Sequence, residues 1–186
     1  MQEERPVVVL RLGHRPGRDE RMTTHVGLTA RALGADGVVL AGAGASQQST
    51  IVDITDRFGG PFDVETTDSP RAYVRDWTGT VAHLTMYGLP IQEVAGDLKA
   101  AHEREPVLLV VGAEKVSFDV YENADYNVAV TNQPHSEVAS LAVTLDRLFE
   151  GRELDREWEE ADQIVRPQET GKRVEPVAEG DDEPHE

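Results

Sequence analysis

Two short apolar runs, Val107–Val111 and Val128–Val130, constrain the fold of this chain more than any other feature. Each stops at a polar turn, and the second turn opens a segment of helical spacing, about Ser136–Phe149. Runs this short and uniformly apolar suit strands buried on both faces, which a parallel sheet covered by helices provides. In such sheets, ligands sit outside the carboxyl ends of the strands. Gly112 follows the first run directly, so the backbone can approach a ligand with no Cβ in the way. Thr131, Asn132, Gln133, Pro134 and His135 follow the second, ahead of a helix whose first amides lack intrahelical partners. Together the two loops form a polar cradle suited to a nucleotide-like molecule.

The same alternation runs through the rest of the chain. Strands are expected at Val7–Leu12, Gly37–Ala41, Phe62–Glu65 and Val81–Met86, and helices at Asp19–Leu33, about Thr50–Phe58 and Ile91–His102. Gly34 ends the first helix as a C-terminal cap. Repeated strand–helix units predict an α/β fold with a mostly parallel sheet and helices on both faces. A charged extension begins near residue 151, with a strand near Asp162–Val165 and a loop through Gly171. Residues 175–186 read as an acidic, disordered tail beyond a domain spanning 1–174.

Composition narrows the chemistry. The chain has no cysteine, which excludes disulfides, thiolate catalysis and cysteine-bound zinc, and its six histidines have no metal-site spacing. No metal is expected. No apolar run reaches the ~20 residues of a membrane span, and the first residues lack a signal-peptide pattern, so a soluble cytoplasmic protein is expected. The net charge of −17 argues against an RNA partner until its distribution is considered. From Glu150 onward there are 14 acids and five bases, which accounts for −9 of the excess. Arg11, Arg15, Arg18, Arg21 and Arg31 stand against only Asp19 and Glu20, with His14 and His25 interleaved, and form the one basic patch. Arg15, Arg18 and Arg21 are the expected RNA contacts, because guanidinium forks match phosphate oxygens.

Two tempting motifs fail. The turn Gly42-Ala43-Gly44 would need a third glycine where Gln47 stands, so it is not a dinucleotide fingerprint. His135-Ser136-Glu137 has the residue types of a triad, but sequence neighbours cannot converge as nucleophile, base and orienter, and Ser136 serves more simply as an N-cap.

The segments LRLGHRPGRDERMTTHVGLTARALGA (Leu10–Ala35), HLTMYGLP (His83–Pro90), VGAEKV (Val111–Val116) and NQPHSEVASLAV (Asn132–Val143) resemble, in the same order, the archaeal tRNA ribose 2′-O-methyltransferases of the SPOUT superfamily. The likeness covers about Val7–Arg173. It implies a deep trefoil knot in the C-terminal part, a homodimer, and S-adenosylmethionine-dependent 2′-O-methylation of cytidine 56 in the tRNA T-loop. It also implies a cofactor site at Leu84, at Gly112, Ala113, Glu114, Lys115 and Val116, and at Val130, Thr131, Asn132, Gln133, Pro134, His135, Ser136 and Glu137. The chain departs from the wider superfamily at its catalytic arginine, which falls on Leu28 when Gly34 is aligned. Arg21, His25 and Arg31 are the candidates to replace it. The usual Ser and Asn of the last motif align with His135 and Glu137. A lysine-poor surface, with three Lys against 15 Arg, suits a cytoplasm of very high salt, as in halophilic archaea. The competing reading is a non-catalytic nucleotide- or RNA-binding α/β domain that uses the same loops.

Overall fold

A computed structural model describes residues 5–13, 17–42, 45–112 and 116–177. Six strands form one sheet: β1 (Val7–Arg11), β2 (Gly37–Ala41), β3 (Asp63–Thr67), β4 (Thr80–Pro90), β5 (Val107–Val111) and β6 (Tyr126–Ala129). Their spatial order is β3-β2-β1-β5-β4-β6, and every neighbouring pair is parallel. The uniformly apolar runs sit where both faces are covered, and all five residues of β5 and of β2 are buried.

Helices α1 (Glu20–Ala32), α2 (Ala45–Phe58), α4 (Ile91–His102) and α6 (Glu137–Phe149) cover one face. Val26 and Ala30, Ile51, Ile91 and Val94, and Leu141, Leu145 and Leu148 supply the contacts there. Burial of each large aliphatic side chain is worth roughly 2 kcal/mol. The short helices α3 (Pro70–Asp76) and α5 (Phe118–Asn123) cover the opposite face through Val74 and Val120. Gly34, at φ +88°, follows the α1 terminus in the left-handed region, as its position predicts. Ser136 caps α6 by accepting from the Ala139 amide at 3.2 Å.

The structure differs from expectation in several elements. Helix α2 begins at Ala45, where Ser49 and Thr50 both donate to the Ser46 carbonyl and Gln48 Nε2 donates to the Val64 carbonyl of β3. Strand β4 extends to Pro90 through a bulge. Both Leu84 and Leu89 pair with Val128, so residues 85–88 arch out of the sheet. α3 and α5 escape a periodicity search because each buries a single residue. The expected strand near Asp162–Val165 is β7 (Gln163–Arg166), which pairs with β8 (Arg173–Pro176) as an antiparallel hairpin. β8 thus runs through Glu175 and Pro176, two positions read as tail; residues 178–186 lie outside the described ones. The extension folds back on the domain, with Gly60 and Glu159 forming a bridge and Trp158 lying over Arg31. Among the described residues no helix is long and apolar enough to cross a membrane.

Candidate active site

The carboxyl ends of β1, β5 and β4 and the head of α6 enclose a cavity of about 540 Å³, within the range of small-ligand sites. Its walls come from Arg11, Val111 and Gly112 at the strand ends, from His83–Tyr87 along the β4 bulge, and from Pro134, His135, Glu137 and Ser140. Arg18, Asp19 and Met22 close it from the segment entering α1, and Val116 and Tyr121 from the α5 side. Polar groups meet here because a strand end is the one place where an otherwise apolar strand faces a loop.

At Gly112 an added Cβ would lie 2.2 Å from Val116 Cγ2, so a side chain there must displace Val116 from the wall. Gly88 is restricted by backbone, since a Cβ would meet the Asn127 carbonyl oxygen at 2.3 Å. The arch between them is clamped by Asn132, whose Nδ2 donates to the carbonyls of Met86 at 2.8 Å and Gly88 at 3.1 Å. Two of the three loops are thereby fastened together. Arg11, 1% exposed at the end of β1, donates to the Leu12 carbonyl and lies 3.7 Å from Glu137, which joins the sheet to α6.

On the β4 wall, His83 is buried, and Asn127 Oδ1 lies 2.9 Å from its Nδ1. Asn127 Nδ2 donates to the Tyr121 carbonyl, and the Tyr121 ring meets the imidazole edge-on at 4.5 Å. Burial pushes the His83 pKa below the ordinary histidine value, against a smaller upward effect of Asn127. Across the cavity, the buried Ser140 Oγ has no hydrogen-bond partner among the described residues.

Of the expected cofactor residues, Leu84, Gly112, Val116, Pro134, His135 and Glu137 line the cavity. Ala113, Glu114 and Lys115 lie outside the described residues. Val130 packs against the core, Asn132 clamps the arch, Ser136 caps α6, and Thr131 and Gln133 are exposed. Of the basic residues expected to meet RNA, Arg18 lines the cavity, Arg21 is exposed on the first turn of α1, and Arg15 lies outside the described residues. His25 stands over an apolar groove between α1 and α6 formed by Leu28, Leu33, Val138 and Ala142. Arg31 turns the other way. It is buried, donates to the Gly59 carbonyl and lies 4.2 Å from the Trp158 ring centroid, with burial and Arg156 lowering its pKa. Arg11, His83, Tyr121 and Ser140 are cavity residues that sequence reasoning passed over. For Arg11 and His83 the available signal was a polar residue at the end of an apolar strand.

A parallel α/β sheet of this kind, covered by helices, is the fold of SpoU-type RNA methyltransferases. AviRb from Streptomyces viridochromogenes, crystallised with the cofactor AdoMet, superposes with a TM-score of 0.55 at 20% identity, over 82% of this chain and 59% of that one. An RNA 2′-O ribose methyltransferase superposes at 0.56 with 18% identity, over 82% of this chain and 60% of that one. The family described as tRNA ribose 2′-O-methyltransferase, aTrm56, matches residues 58–175, and the chain belongs to it. The tRNA (cytidine(56)-2′-O)-methyltransferase of Natronomonas pharaonis is 74% identical over 96% of this chain and 99% of the relative. That of Haloarcula marismortui is 71% identical over 94% and 97%, and that of Pyrococcus horikoshii 51% identical over 90% and 84%.

Proposed function

We propose that this chain transfers a methyl group from S-adenosylmethionine to the ribose 2′-hydroxyl of cytidine 56 in the tRNA T-loop. The observation that carries the reading is 74% identity, across nearly the whole of both chains, to a protein named for that reaction. The cavity supports it. Its volume suits a nucleoside-sized ligand, a side chain at Gly112 would displace Val116, and Ser140 Oγ is a buried polar atom inside it without a partner among the described residues. Leu84, Gly112, Val116, Pro134, His135 and Glu137 would hold the cofactor, together with Ala113, Glu114 and Lys115, which lie outside the described residues. The bound cofactor supplies an electrophilic methyl group.

The chain's own contribution is alignment and electrostatics. Arg11 and Glu137 fix the head of α6 against β1, so the cradle is preorganised. Arg18 at the mouth and Arg21 beside it meet the phosphates and favour the charge that develops on the attacked ribose oxygen. Of the three candidates for that last role we retain Arg21, with His25 on the same side of α1; Arg31 is committed beneath Trp158. The active form is a homodimer closed over the α1–α6 groove, where Leu28, Leu33, Val138 and Ala142 leave an apolar strip. Leu141 and Leu145, on the same helix, belong to the monomer core. β5, β6 and α6 form the deep trefoil knot of the superfamily. A tRNA substrate sets the protein in the cytoplasm.

The test is methyl transfer from labelled S-adenosylmethionine to an unmodified tRNA transcript and to one carrying 2′-deoxycytidine at position 56. Transfer to the first alone is expected. Cofactor binding without transfer to either RNA would favour the non-catalytic binding domain. Light scattering in molar potassium chloride should give a dimer for the native chain and a monomer for Val138→Asp.

A further inference from the structure

The hydrogen bonds around His83 fix which ring nitrogen carries the proton. Asn127 Nδ2 donates to the Tyr121 carbonyl at 2.9 Å, so Asn127 Oδ1 is the atom that faces His83 Nδ1 at 2.9 Å. An amide oxygen can only accept. His83 Nδ1 therefore donates, and the proton of the neutral ring is on Nδ1. Nε2 is left with a lone pair and makes no hydrogen bond among the described residues. His83 is 1% exposed, yet it lines the cavity. A buried ring in the cavity wall lies beside a small molecule that fills the cavity and away from RNA arriving at its mouth.

We propose that Nε2 of His83 accepts a hydrogen bond from S-adenosylmethionine at the floor of the cavity, and that a neutral ring at this position is a condition of cofactor binding. The proposal rests on the reading of the cavity as the cofactor site. The cofactor offers suitable donors in its adenine amine, ribose hydroxyls and α-ammonium group. Protonation of the ring removes the acceptor and adds a cation to a cavity that Arg11 already lines. Burial holds the ring neutral at physiological pH. The other titratable groups facing the cavity are Arg11 from β1, Arg18 and Asp19 ahead of α1, Tyr87 on the arch, Tyr121 from α5, and His135 and Glu137 at the head of α6.

Calorimetric titration of the full chain with S-adenosylmethionine and with S-adenosylhomocysteine, in molar potassium chloride from pH 8 to pH 5, tests this without turnover. For the native chain, Kd should be constant above the histidine range and rise about tenfold per pH unit below the folded pKa, with both ligands. His83→Gln should weaken binding roughly fivefold at pH 8 and abolish the acid limb. Asn127→Asp should move the limb to higher pH, because a carboxylate facing Nδ1 favours the imidazolium. That second variant decides the matter if His83→Gln does not fold. A limb unchanged in His83→Gln, or unmoved in Asn127→Asp, would overturn the proposal. A limb seen only with S-adenosylmethionine would reduce it to charge repulsion and remove the hydrogen bond. Absence of binding at pH 8 by the native chain would overturn the cofactor reading itself.

Discussion

Gly112 shows how one missing side chain shapes the site. Its required absence of a Cβ comes from Val116, whose Cγ2 would lie 2.2 Å away. Gly112→Leu should cost about 1–3 kcal/mol of stability through overpacking. By displacing Val116 it should raise the Kd for S-adenosylmethionine at least tenfold; calorimetry of a still-folded variant checks both. Two histidines should set the pH response of the unliganded fold. Burial lowers the pKa of His83, and burial first, then Arg5 and Arg152, lower that of His102 against Asp36 and Glu103. A histidine with a depressed folded pKa binds its proton first in the unfolded chain, so stability is retained above the unfolded value near 6.5 and is lost as pH falls toward the folded pKa. Urea unfolding between pH 7.5 and 5.5 should therefore show declining stability, and His102→Gln should flatten the decline. An equally steep decline in that variant would assign it elsewhere.

At the scale of elements, the arch of β4 is the part of the site that periodicity could not foresee. Alternation along TVAHLTMYGLP reads as a strand, but only pairing with β6 shows that Leu84 and Leu89 share Val128 and that residues 85–88 stand clear. Asn132, one of the expected cofactor residues, holds the arch through the Met86 and Gly88 carbonyls. Asn132→Ala should therefore lower stability by only about 1 kcal/mol, because the bonds are exposed. It should weaken cofactor binding several-fold by loosening the arch, and show faster hydrogen exchange confined to residues 84–90 and 130–135. A binding loss without that exchange signature would mean direct contact. The helix at Glu137–Phe149 was legible because Ser136 and its long apolar stripe are local signals. The division of that stripe was not: Leu141 and Leu145 face the sheet, whereas Val138 and Ala142 face the α1 groove.

For the whole molecule, charge decides the working conditions. At −17 the chain repels RNA at low salt, while near 1 M salt the Debye length falls to about 3 Å and the repulsion is screened. Methylation rate should therefore rise with potassium chloride before any decline, the reverse of an ordinary tRNA-binding protein. Its relatives from halophilic archaea fit that expectation. Joint replacement of Arg15, Arg18 and Arg21 by Ala should reduce tRNA methylation at least tenfold and spare S-adenosylmethionine binding. Replacement of Asp181, Asp182 and Glu183 by Asn and Gln should leave methylation at optimal salt unchanged. Normal methylation by the arginine variant would move the RNA to another surface. The sequence alone determined the strand–helix alternation, the doubly buried strands, the capped last helix and the loops that meet at their ends, because burial and capping act between near neighbours. Tertiary structure alone decided that Arg31 turns under Trp158, that Arg11 and His83 line the cavity, and that Asn127 orients the His83 ring. Those outcomes depend on which strands lie side by side. Asn127 meets His83 only because β6 pairs with β4, and periodicity carries no information about that pairing.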